Sequence, residues 1–75
     1  MHERIRSLRE DKDLSQKEMA AVLNIAQTTY SDYEHGKINI PVETLKKLAV
    51  FHQTSIDYLL ELTDNPLPYE PKRHK

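Results

Sequence analysis

The chain contains no cysteine, so no disulfide and no thiolate metal site can staple it. Glycine occurs once, at Gly36, which excludes Gly-rich phosphate loops and dinucleotide-binding turns and leads us to expect few left-handed turns. No apolar run approaches the roughly 18 residues that a membrane span needs. The N-terminal stretch MHERIRSLRE is charged throughout and lacks the apolar core of a secretory signal. From these absences we expect a soluble protein in a reduced, cytoplasmic setting, with no membrane contact. Alternating β-branched runs are also missing, whereas Leu, Ala, Glu, Lys and Gln are plentiful, a composition that favours helix. With 75 residues there is room for one small core and a thin margin of stability.

The formal net charge is −1, divided into −3 over residues 1–65 and +2 over residues 66–75, where Lys72, Arg73 and Lys75 accompany Glu70. An acidic body speaks against a nucleic-acid partner, since such proteins are usually basic. The objection is met only if positive charge gathers on one face.

The apolar spacing predicts five helices. In residues 2–12, Ile5, Leu8 and the stem of Lys12 share a face, with Arg4, Arg6, Arg9, Glu10 and Asp11 around the rest. Ser15-Gln16-Lys17-Glu18 reads as a capping box opening a second helix, in which Met19, Ala20 and Leu23 form the buried stripe. Asn24 tolerates the left-handed conformation and ends that helix, with Ile25 as the apolar plug of the turn. A third helix over residues 27–35 sorts into two faces. Ala26, Tyr30 and Tyr33 lie on one side; Gln27, Thr28, Ser31, Asp32 and His35 lie on the other. The second face is polar and nearly free of long charged side chains, unlike an ordinary solvated face in so charged a chain. Gly36 closes the helix, and Pro41 suits the first turn of a fourth, carrying Leu45, Leu48, Ala49 and His52 at helical spacing. Thr54-Ser55 caps a fifth, with Ile56, Leu59 and Leu60 expected inward and Asn65-Pro66 as its stop. Residues 1–64 then form the domain, and the proline-containing basic segment 65–75 is expected to be extended or disordered.

Leu14-Ser15-Gln16, Met19-Ala20, Asn24-Ile25, Tyr30-Ser31, Tyr33-Glu34, Gly36 and Pro41, followed by Leu45, Leu48-Ala49 and Ser55 to Leu60, together resemble the Xre/Cro-type helix-turn-helix of phage repressors. The match covers about residues 3–64 and includes the spacing between elements. Asn24 stands in place of the usual turn glycine, His52 where an apolar residue is typical, and Gln53 where Gly or Asn is common.

That resemblance implies an all-α, compact five-helix bundle whose second and third helices enter DNA recognition. It implies a dimeric transcriptional regulator on a two-fold symmetric operator, with half-sites roughly 34 Å apart. By position, it makes Gln27, Thr28 and Asp32 base-reading residues and Gln16, Lys37 and Asn39 phosphate contacts. The chemistry is suitable: glutamine pairs with adenine N6 and N7, aspartate accepts from cytosine N4, and a threonine methyl meets a thymine methyl. Thr29 and His35 are further phosphate candidates. Arg9 and Glu34 occupy the positions of a structural ion pair between the first and third helices. Val50, Tyr58 and Leu62 are apolar residues left over after the core is assigned and are candidates for a homodimer interface.

The alternative to a DNA-binding repressor is a protein-interaction module of the antitoxin or phage-immunity kind, gripping a protein partner through the acidic body. No cofactor or metal is expected, His52 being read as a core histidine without a second histidine at helical spacing. Enzymatic activity is not expected, since no catalytic spacing is present.

Overall fold

A computed structural model describes residues 3–68. The expected basic tail with Lys72, Arg73 and Lys75, and the histidines His2 and His74, lie outside the described residues. Five helices follow in order: α1 (Glu3–Asp11), α2 (Gln16–Leu23), α3 (Gln27–His35), α4 (Val42–Phe51) and α5 (Ile56–Leu59). Among the described residues there is no strand, so the fold is the all-α bundle expected. No helix of the described residues is long and apolar enough to cross a membrane.

The core draws at least one residue from every helix: Ile5, Met19, Leu23, Tyr30, Leu48 and Leu59 are each no more than 2% exposed. Burying a side chain of this size contributes about 1.5–3 kcal/mol, so the six together hold the bundle against chain entropy. Leu8, Leu14, Ile25, Ile40, Phe51 and Ile56 pack around them, partly covered. Three expected members are absent. Leu60 is 38% exposed because α5 ends at Leu59, before another turn can carry it inward. Ala26 lies on the surface as the residue preceding α3, where its extended backbone (φ −68°, ψ 146°) takes it off the face shared by Tyr30 and Tyr33. The stem of Lys12, expected beside Ile5 and Leu8, is exposed because α1 has already ended.

The helix ends overturn the expectation drawn from a single glycine. Among the described residues, Asp13, Asn24, Gly36, Gln53 and Glu61 all have positive φ, between 54° and 72°. Each terminates one helix with the same pair of backbone bonds. After α2, for example, Asn24 N–H donates to Ala21 O at 3.1 Å and Ile25 N–H to Ala20 O at 3.0 Å. After α4, Gln53 N–H donates to Val50 O at 3.2 Å and Thr54 N–H to Ala49 O at 2.9 Å. This left-handed closure satisfies carbonyls that the helix leaves open. Four of the five closures therefore carry a side chain where glycine would be easiest. The last of them explains why α5 is short: Leu62 N–H donates to Asp57 O at 2.8 Å and turns the chain well before Asn65-Pro66.

One residue of α1 holds that final turn. The Arg4 guanidinium donates from Nη1 to Thr63 O at 2.7 Å and to Tyr58 O at 3.2 Å, and it lies 4.1 Å from the centre of the Tyr58 ring. Tyr58, expected among the leftover surface apolars, is thus half covered by Arg4, whereas Val50 and Leu62 remain 78% and 73% exposed.

Candidate nucleic-acid interface

α2 begins where its sequence demands. Ser15 Oγ accepts from Glu18 N–H at 3.0 Å, and Glu18 Oε1 accepts from Ser15 N–H at 2.8 Å, closing the reciprocal box. The Ser15 backbone N–H, joined by the Ser15 hydroxyl, holds the Glu18 carboxyl below its ordinary range. The left-handed Asn24 then turns the chain in three residues into α3, and Ile25 packs beneath the turn. α2 and α3 are thereby locked at a fixed angle.

α3 separates cleanly by burial. Tyr30, Tyr33 and Glu34 face the interior, at 0%, 4% and 8% exposure. Gln27, Thr28 and His35 are exposed, and Thr29, Ser31 and Asp32 are half-buried. The polar stripe thus lies on the surface of the domain. Its side chains are short hydrogen-bonding groups, which suits approach to base edges more than salt bridging. Ala26 offers no side-chain acceptor to the first-turn amides of α3, unlike Ser15 before α2 and Ser55 before α5. The exposed N-terminal end of α3 therefore keeps its positive dipole end open toward an anion.

Behind the stripe sits a buried polar cluster. Arg9 Nε donates to Glu34 Oε2 at 2.7 Å and Nη2 to Oε1 at 3.2 Å, a two-pronged pair linking α1 to α3. Arg9 Nη1 also donates to Leu14 O at 2.7 Å. Burial pushes the Glu34 carboxyl up, but hydrogen bonds from Arg9 and Gln16 outweigh it and leave the group below its ordinary range. Burial, reinforced by the neighbouring Glu34 carboxylate, pushes the Tyr30 phenol far up, so it stays neutral. The side-chain hydrogen bond to Glu34 raises Arg9 above the ordinary guanidinium value.

Gln16 is half-buried, and its Nε2 donates to Glu34 Oε1 at 3.1 Å. One of its two amide hydrogens is therefore engaged inside the domain while the other remains for an outside acceptor. Lys37 and Asn39 are exposed in the loop after α3, where Lys37 N–H donates to Asp32 O at 2.9 Å and fixes the loop's departure. Gln16, Arg9, Glu34 and His35 also line a polar cleft of about 230 Å³ together with Glu3 and Arg6. Sequence reasoning assigned Arg6 only to the solvated side of the first helix. The available signal was its position one turn before Arg9, which places both guanidiniums along one edge of α1. Among the described residues, no group of three or more metal-binding side chains is gathered.

This arrangement, two helices joined by a tight turn with the second presenting a polar outer face, defines the helix-turn-helix class. The chain belongs to the helix-turn-helix family, whose pattern it matches over residues 5–59. It is 36% identical over 66 residues to an uncharacterized HTH-type transcriptional regulator of Bacillus subtilis, YobD, covering 88% of this chain and 59% of that protein. It is 39% identical over 57 residues to the cryptic phage CTXphi transcriptional repressor RstR of Vibrio cholerae, covering 76% and 51%. It is also 36% identical over 59 residues to the HTH-type transcriptional activator BcrR of Enterococcus faecalis, covering 79% and 29%. The chain spans about half the length of the first two of these relatives.

Proposed function

We propose that this domain binds duplex DNA sequence-specifically as a cytoplasmic transcriptional regulator, with α3 seated in the major groove. The observation that carries the reading is the burial pattern of α3. Its tyrosines and Glu34 anchor it from behind, leaving Gln27, Thr28 and Asp32 to read base edges. Gln16, Thr29, His35, Lys37 and Asn39 flank that stripe and fix its register on backbone phosphates. Binding requires no cofactor and the domain catalyses nothing.

Repression by promoter occlusion is the favoured sign of action, because it needs only occupancy of DNA. A homodimer on a palindromic operator is the favoured assembly. Val50 stands between two apolar grooves along α4, of about 740 and 390 Å³, and gives a second copy an apolar surface to cover. Leu62 extends the exposed apolar surface; Tyr58, under Arg4, contributes only its open edge.

Selection of bound duplexes from a random pool, at two salt concentrations, tests the reading. Enrichment of a two-fold symmetric site, with affinity falling steeply as salt rises, is expected. Failure to enrich any duplex would overturn the reading and favour the protein-interaction module.

A further inference from the structure

The ring of His35 is oriented by its own helix. Its Nδ1 lies 2.7 Å from the Ser31 carbonyl oxygen and 3.3 Å from Ser31 Oγ. A carbonyl oxygen only accepts, so at the shorter distance Nδ1 must carry the hydrogen. In the neutral imidazole Nε2 is then a bare lone pair, and among the described residues nothing donates to it. A lone pair cannot hydrogen-bond a phosphate oxygen, which is itself only an acceptor. A proton from solvent changes this: Nε2–H becomes a charged donor while Nδ1–H keeps its bond to Ser31.

We propose that His35 is a proton-coupled phosphate contact: as the domain seats on DNA, His35 takes up a proton and its Nε2–H holds one backbone phosphate at the mouth of the cleft between α1 and α3. This rests on the DNA-binding reading above and adds its regulation by pH.

The surroundings of the ring support the assignment. The cleft is lined by Glu3, Arg6 and Arg9 of α1, Gln16 of α2, and Glu34 beside His35 on α3. Counting Glu10, which is bonded to Arg6, three carboxylates face two guanidiniums, so a proton on His35 takes this cluster from a net negative charge to neutrality and removes its repulsion of a phosphate. Arg9 and Glu34 are committed to each other, and Arg6 Nε is tied to Glu10 Oε2 at 3.2 Å. His35 also lies in the last turn of α3, where the helix dipole favours a cation.

The test uses the full chain and a labelled duplex recovered from the random pool. Affinity is measured at about pH 6 and about pH 8 at several salt concentrations. The native chain is expected to bind roughly three- to thirtyfold more tightly at the lower pH, one proton being taken up. The slope of log affinity against log salt should steepen there by about 0.9, the signature of one further phosphate contact. His35→Gln and His35→Asn, whose amides donate at any pH, should show neither change while retaining the helical circular dichroism of the native chain. Parallel pH lines for native and substituted chains would overturn the proposal and leave DNA binding standing. A pool that yields no duplex would overturn DNA binding and this proposal together. Ring-nitrogen NMR of the free chain above pH 8 should report the Nδ1–H tautomer; the Nε2–H tautomer would also overturn it.

Discussion

Arg9 and Glu34 meet through two hydrogen bonds, of 2.7 and 3.2 Å, between helices whose chain positions are 25 residues apart. The pair fastens the inner side of α3 to α1, and Gln16 shares its carboxylate. Position and rigidity of the outer stripe thus depend on a charge that is itself hidden.

Removing one partner strands the other in a dry place. Arg9→Met is expected to destabilise the domain by about 3–5 kcal/mol, which is most of the margin of a chain this small. Arg9→Met combined with Glu34→Leu should recover a large part of that loss. Urea denaturation of the single and double variants measures both. Equal loss in the single and double variants would show that the buried charge is not the source.

His52 gives the domain an acid-sensitive centre. It is 8% exposed, and among the described residues neither ring nitrogen has a hydrogen-bond partner. Burial, helped by the charge of Lys12 and opposed by Asp11, lowers it to about 4. The unfolded chain, near the ordinary 6.5, then binds the proton more readily than the folded one. Stability is therefore intact above about pH 6.5 and falls as pH drops toward 4, by on the order of 3 kcal/mol in all. His52→Leu should flatten this part of the stability curve, read as melting temperature between about pH 4 and 7. An unchanged acid slope would assign the effect to other groups.

Left-handed closures without glycine leave room for improvement. Gln53 has φ 54° and Glu61 φ 62°, and both are exposed. An L-residue in this conformation costs roughly 1–2 kcal/mol, partly offset for glycine by its greater freedom when unfolded. Gln53→Gly and Glu61→Gly are each expected to stabilise by about 0.5–1 kcal/mol, nearly additively because they close different helices. Thermal unfolding of the two single variants and the double variant measures this.

Asp32 is half-buried on the outer stripe of α3. A carboxylate near phosphates loses affinity by repulsion, so on the proposed reading its use in the groove would be to reject wrong bases. Asp32→Ala should relax the selected consensus at one position of each half-site while changing affinity by less than about tenfold. Gln27→Ala should instead cost about 1–3 kcal/mol against the preferred base. An identical consensus from native and Asp32→Ala chains would remove this role.

The helices and their starts were legible because their signals are local. Ser15 with Glu18, and the spacing of Met19, Ala20 and Leu23, fix α2 from neighbouring residues alone. Tyr30 and Tyr33 could be assigned to the interior by periodicity, and the polar stripe followed as their complement. Helix ends were less legible, because Gln53 and Glu61 have no strong preference for positive φ and adopt it under the demand of unpaired carbonyls and packing. The cleft was not legible either. It requires Arg6, Gln16 and His35 to converge from three helices, a juxtaposition that no single-helix period encodes. Arg4 was likewise unassigned, since its partners Tyr58 and Thr63 lie at the far end of the chain.

That Arg4 clasp bears on how the domain assembles. α5 has only four residues, too few to persist alone, and the guanidinium that stabilises its exit comes from positions 54 and 59 residues earlier. Closing so long a stretch of chain is entropically slow, so the pairing of first and last segments forms late, after the central helices have docked. A chain beginning beyond Arg4 would keep α3 in place yet fray at its last turn.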